Sequence, residues 1–209
     1  MADASSDPKI RPWRRLDSDR YSRRYELFTL AAPVFAQLGF RGATVAALAH
    51  ACHLSPAGLY HYFESKEDLA TSLLRGPRLR WDTIFVDDGM DPVTQLVALV
   101  DIAVRNIPLY MLSLRLLEEI DHGEAERLRA GAMREGETVF ARFIAAAAPG
   151  MPREASMGLG RDAMAILVGS AFTGLDAGPG AIRARTLGLL RSCLVPGLVP
   201  ADRFDKAAG

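Results

Sequence analysis

Between Ser55 and Lys66 the chain reads SPAGLYHYFESK, a run of hydroxyls, an imidazole and an ammonium group set among small residues. The hydroxyls of Ser55, Tyr60 and Tyr62 can bond phosphate oxygens, and His61 can donate to a phosphate or a base edge. Ala57 and Gly58 leave room for close approach to a DNA backbone or a thymine methyl. This chemistry recognises a duplex rather than breaking bonds. His50, His53 and His61 flank Cys52, but a structural zinc site needs paired ligands at two places and no second pair follows. The chain has no GxSxG, no Walker loop and no GxGxxG opening a strand–helix unit. His122, with Glu118, Glu119 and Asp121, reads as a polar helix end. No catalytic residue, metal or cofactor is expected, and the chain is not read as an enzyme.

The elements that present these groups follow from local signals. Val45, Leu48 and Ala49 are spaced for one face of a helix, with Thr44 before them as N-cap. Cys52, His53 and Leu54 make the turn. Ser55-Pro56 starts a second helix as cap plus N1 proline, and Ser65 caps a third, with Asp68 completing a capping-box pattern. Such dense helix starts suit a helix-turn-helix, whose short second helix projects from a supporting one. Leu59 and Phe63 anchor that helix inward.

Phe35, Gly39, Phe40, Thr44, Val45, Leu48, Ala49, Ser55, Gly58, Leu59, Tyr60, Tyr62, Phe63, Ser65, Lys66 and Leu69 fall in one ordered pattern, with LSPAGLYHYFESKEDL at its centre. Over residues 22–74 the chain resembles the DNA-binding domain of the TetR family of bacterial transcriptional regulators. The resemblance implies an all-α, nine-helix fold, with a three-helix head on a ligand-binding and dimerisation body. It implies DNA contacts from Arg23, Arg24, Thr44, Ser55, Ala57, Gly58, Tyr60, His61, Tyr62 and Lys66, the last being the family's usual phosphate-contacting lysine. His53 stands where the family's turn usually has glycine, which implies a left-handed backbone that histidine tolerates better than most other residues. Ala46 departs from the arginine or polar residue often found there, so one contact is absent.

Net charge is zero, yet residues 1–80 carry 12 Lys and Arg against 8 Asp and Glu, and the other 129 carry 13 against 17. Lys9, Arg11, Arg14, Arg15 and Arg20 precede Arg23 and Arg24, and this basic run beside the helix-turn-helix reads as a phosphate-seeking arm. The expected division is a basic arm at 1–20, a DNA-binding domain at 21–65, a ligand-binding and dimerisation domain at 66–200, and a tail at 201–209. The first helix should span Ser22 to Leu38 with a bend at Pro33. Gly76-Pro77 should interrupt the fourth helix, mark the point where motion is transmitted to the head, and precede a segment ending at Phe85. Helices are expected at 91–106, 108–120, 124–148, 154–175 and 181–194, with a restart at Pro108.

Trp81, Phe85, Ile102, Tyr110, Met111, Leu114, Met133 and Phe140 are candidate linings for a ligand pocket or plain core. Gly160, Met164, Leu167, Ala171, Leu175, Leu187 and Leu190 are candidates for a homodimer interface between small-residue helices. Cys52 and Cys193 read as buried, reduced thiols. No apolar leader and no uncharged run long enough to span a bilayer is visible. The expected function is a cytoplasmic, nucleoid-associated regulator, a repressor, that binds a near-palindromic double-stranded DNA operator as a homodimer and is released by a small, largely apolar effector. The alternative is a dimeric helical protein acting through a protein partner, with DNA as co-effector.

Overall fold

The computed structural model describes residues 18–75, 89–172, 178–195 and 197–209. Among them stand ten helices and no strand: α1 (Ser18–Gly42), α2 (Val45–Ala51), α3 (Pro56–Tyr60), α4 (Lys66–Ala70), α5 (Ser72–Arg75), α6 (Pro92–Glu118), α7 (His122–Ala147), α8 (Arg153–Phe172), α9 (Pro179–Leu194) and α10 (Ala201–Ala208). Gly76-Pro77, Trp81, Phe85, Leu175 and Trp13 lie outside the described residues.

Two apolar clusters organise the chain. The first joins Leu27, Phe28, Ala31 and Phe35 of α1 to Leu48, Leu59, Phe63, Leu69 and Leu73 of α2 to α5. The second joins α6, α7, α8, α9 and α10 around Leu99, Leu114, Phe140, Ile144 and Leu190. Leu69 and Leu73 belong to the first cluster while Leu74 packs against the second, so α4 and α5 touch both.

The expected break at Pro108 does not occur. α6 runs unbroken for 27 residues, roughly 40 Å at 1.5 Å per residue. Proline removes one ladder bond, but both flanks are held by burial. Met111 and Leu114 sit in the second cluster, while Leu116 is in the first, with Leu109 and Leu112 packed against it. By length and composition α6 would also pass for a membrane span, which the search for an uncharged run missed because Asp101 and Arg105 interrupt it. Most of its apolar window is spent on these two cores.

Pro33 lies inside α1, as expected. The non-helical residue is Gly39, with φ 67° and ψ −179°, a region open essentially to glycine alone. There the chain turns, and Glu119 at the end of α6 accepts the freed N–H groups of Phe40 (3.1 Å) and Arg41 (3.4 Å). α1 begins at Ser18, so the last residues of the expected arm are helical. The expected tail is likewise a helix. α10 buries Phe204 and is tied back by Arg191–Asp205 and Arg203–Asp91 ion pairs and by Arg183, which donates to the Ala208 carbonyl.

Cys52 is buried, its thiol donating to the Leu27 carbonyl at 3.3 Å, whereas Cys193 is exposed on α9, correcting the expectation of two buried thiols. The dimer candidates need a larger correction. Met164 is 2% exposed, Leu167 1%, Leu187 6% and Leu190 0%, so all four are core of the chain itself. Gly160 is also buried: a Cβ there would lie 2.7 Å from the Glu137 carbonyl oxygen and 3.0 Å from the Ala141 nitrogen. Its smallness serves the crossing of α8 on α7 within one protomer. The side chain of Ala171 lies outside the described residues.

Candidate nucleic-acid interface

Three short helices are started by three side-chain caps. Thr44 Oγ1 accepts from Ala47 N–H at 3.2 Å, Ser55 Oγ from Gly58 N–H at 3.0 Å and Ser65 Oγ from Asp68 N–H at 3.0 Å. Each satisfies an N–H that has no partner within its helix. Between α2 and α3 the turn is a Schellman motif. Leu54 N–H reaches back to the Ala49 carbonyl (2.9 Å), and His53 N–H bonds the His50 carbonyl (3.0 Å). His53 is left-handed at φ 55°, as expected, and its side chain is exposed. Replacing it with glycine should therefore stabilise the chain by roughly 0.5–1 kcal/mol, the steric cost of a Cβ at this φ less the extra chain entropy of glycine. Thermal melts of His53→Gly against the parent check this, and a fall in Tm would refute it.

α3 has only five residues and cannot hold itself in place. Leu59 and Phe63 bury its inner side at 4% and 2% exposure. The outer side presents Ser55, Ala57 and His61 exposed, Tyr60 half exposed at 50%, and Gly58 partly covered, with a Cβ there only 3.3 Å from Ser55 Oγ. The His61 imidazole stands edge-to-face on Tyr62, with ring centroids 5.2 Å apart at 87°. Tyr62 packs against the first cluster, so half of this residue is scaffold. Thr44 is exposed at the start of α2.

The three expected cationic contacts divide. Arg23 is exposed and pairs with Glu26 at 3.0 Å. Lys66 spends two of its three N–H donors on the carbonyls of Phe40 (2.9 Å) and Ala43 (3.1 Å) and lies 4.4 Å over the Phe40 ring. Arg24 turns inward: its guanidinium donates to both Asp68 oxygens and to the Tyr62 carbonyl, and its side chain is 18% exposed. The expectation of a phosphate contact from Arg24 is corrected accordingly. In sequence Asp68 reads only as part of a helix cap, and an ion pair across 44 residues leaves no local signal.

Of the pocket candidates, Leu114 and Phe140 are fully buried, Ile102 and Met111 nearly so, and Tyr110 and Met133 pack on the same cluster. Tyr110 donates a long 3.5 Å bond to the Leu128 carbonyl, and burial, then the nearby Glu135, pushes its pKa up to about 12. It stays a neutral hydroxyl. Met111, Leu114 and Phe140 are core members of the second cluster, Tyr110 and Met133 pack against it, and Ile102 is buried on α6 outside it.

The surface of α2 and α3 coincides with a match to a family model described as bacterial regulatory proteins, tetR family, over residues 27–73. The N-terminal segment belongs to the TetR family. Within this family, the HTH-type transcriptional repressor KstR2 of Rhodococcus jostii is 37% identical over 81 residues, 39% of this chain and 36% of that protein. KstR2 of Mycobacterium tuberculosis is 47% identical over 55 residues, 26% of this chain and 28% of that protein. The chain thus aligns with about a third of its curated relatives' length. A TetR-like transcriptional regulator from Rhodococcus sp. RHA1 superposes with a TM-score of 0.51 at 17% identity, covering 83% of this chain and 96% of that one, and so shares its fold.

Proposed function

We propose that the chain is a TetR-type transcriptional repressor that binds operator DNA through α3 as a homodimer in the cytoplasm and is released by a small, largely apolar effector held in the second cluster. The observation that carries this reading is the exposed, hydrogen-bonding surface of α3, set at the mouth of a Schellman turn and backed by buried Leu59 and Phe63. Thr44 and Ser55 head helices whose positive ends suit phosphates. Tyr60 and His61 are exposed groups able to bond base edges or phosphates, and Lys66, with two donors spent on carbonyls, has a third for a phosphate.

Homodimerisation is supported by a different set of residues from those first expected. On α8, Gly158 and Ala165 face outward, and on α9 Ala181, Ala184 and Gly188 do so, with open space where the Cβ of either glycine would stand. Two such small-residue stripes suit close packing of α8 and α9 against a second copy.

In a gel-shift titration against a duplex selected by the protein from a random-sequence pool, Tyr60→Ala should weaken binding by about 10- to 100-fold. Lys66→Ala should weaken it on selected and scrambled duplexes alike and flatten the salt dependence by about one unit of slope. Unchanged affinity in both variants would sink the mapping, and failure of the parent protein to select any sequence would sink the DNA-binding reading.

A further inference from the structure

The segment that leaves α3 is held by a clamp that touches none of the groups presented outward. Arg24 of α1 donates to the Tyr62 carbonyl at 2.6 Å, and its guanidinium lies 4.5 Å over the Phe63 ring. The same guanidinium forms a two-pronged pair with Asp68 of α4, at 3.1 and 2.6 Å. Asp68 Oδ2 in turn accepts the Glu64 N–H at 2.9 Å. The backbone acceptor at 62 and the backbone donor at 64 are thus both fixed, one by each member of the ion pair. The pair is nearly covered, at 18% and 19% side-chain exposure. A planar guanidinium matches both oxygens of a carboxylate with parallel bonds while also reaching a carbonyl, a fork geometry that the point charge of an ammonium does not reproduce.

Resting on the DNA-binding reading above, we infer that Arg24 and Asp68 are positioning residues, which set the angle of α3 to α1 and α4 and thereby its fit to the operator. α3 is too short to keep an orientation of its own. Its N-terminal end is fixed by the turn at Leu54, its centre by Leu59 and the segment after it by buried Phe63, on whose ring Arg24 lies, so the clamp acts together with Phe63 in setting where its C-terminal end, with Tyr60 and His61, points. The clamp acts on specific binding and leaves general attraction to phosphates alone.

The test uses the full chain, the duplex selected by the parent protein and a scrambled duplex of equal length, at a temperature where circular dichroism shows every variant fully folded. Asp68→Asn removes a negative charge from a DNA-binding unit, so simple electrostatics makes binding tighter, whereas loss of the clamp makes it weaker. The expected result is a loss of about tenfold on the selected duplex, with the scrambled duplex and the salt slope unchanged. Arg24→Lys, which keeps the charge, should show the same loss. Tighter binding of Asp68→Asn to both duplexes, or parent-like specific binding by Arg24→Lys, would overturn the inference. So would a salt slope reduced by about one in Arg24→Ala, since that marks a direct phosphate contact. A parent protein that selects no sequence overturns the DNA-binding reading and the clamp's role together. A parent that selects a site while the variants match it overturns the clamp alone.

Discussion

Phe204→Ala should lower stability by about 3–5 kcal/mol, the range for truncating a fully buried aromatic side chain, and depress Tm by roughly 6–20 °C for a chain of this size. Phe204 is 1% exposed and is the single buried side chain of α10. The rest of the helix is secured at the surface by Arg191 with Asp205 at 2.7 Å, by Arg203 with Asp91, and by Arg183, which donates to the Ala208 carbonyl at 3.0 Å. Exposed pairs of this kind contribute little each, so Arg191→Ala should leave the melting temperature close to the parent's while Phe204→Ala is severe. Hydrogen bonds from Arg203 and Arg191 hold the carboxyls of Asp91 and Asp205 below the usual carboxylate range. Depressed carboxyls add stability above their unfolded pKa, and that share is lost as pH falls below about 4. Melts of both variants near neutrality and at acid pH check the account. A loss under about 1 kcal/mol in Phe204→Ala would mean that α10 is an ornament on the surface rather than part of the core.

The helix-turn-helix was legible because its determinants are local. A Thr or Ser hydroxyl caps an N–H three residues on, and the left-handed turn at His53 is closed by residues 49 to 54, so sequence order and spatial order nearly coincide. What escaped reading depends on partners distant in sequence. Arg24 looks like any arginine in a basic run until Asp68 is placed beside it. Pro108 looks like a helix break until Leu109, Met111, Leu112, Leu114 and Leu116 are seen gripped by two cores at once. α10 carried a usable signal that prolines at 196 and 200 obscured: Asp202 in its first turn, Lys206 in its last and one apolar anchor between them. The all-α class was secure throughout, since nothing in the chain alternates with a period of two.

Small residues in a helix announce that something approaches closely, but not what. Gly160→Ala separates the possibilities for α8. A Cβ 2.7 Å from one backbone atom of α7 and 3.0 Å from another cannot be accommodated by turning a side chain, so α8 must lift from α7 along its length. Overpacking of this kind costs about 1–3 kcal/mol and more where the opposing atoms are backbone. Gly160→Ala should therefore lose about 3 kcal/mol or more, with a drop in Tm of roughly 6–12 °C. Because the obstruction lies within one protomer, the loss should be the same in dilute and concentrated protein. Gly188→Glu offers the contrasting case. Nothing lies within 4 Å of a Cβ at that site, so a single chain tolerates the change, while a second copy packed on α9 meets a buried charge. Sedimentation should then show Gly188→Glu as a folded monomer and Gly160→Ala as a destabilised dimer. A Gly160→Ala protein that melts like its parent but no longer self-associates would reverse the assignment and return the dimer contact to the face where Gly160 lies.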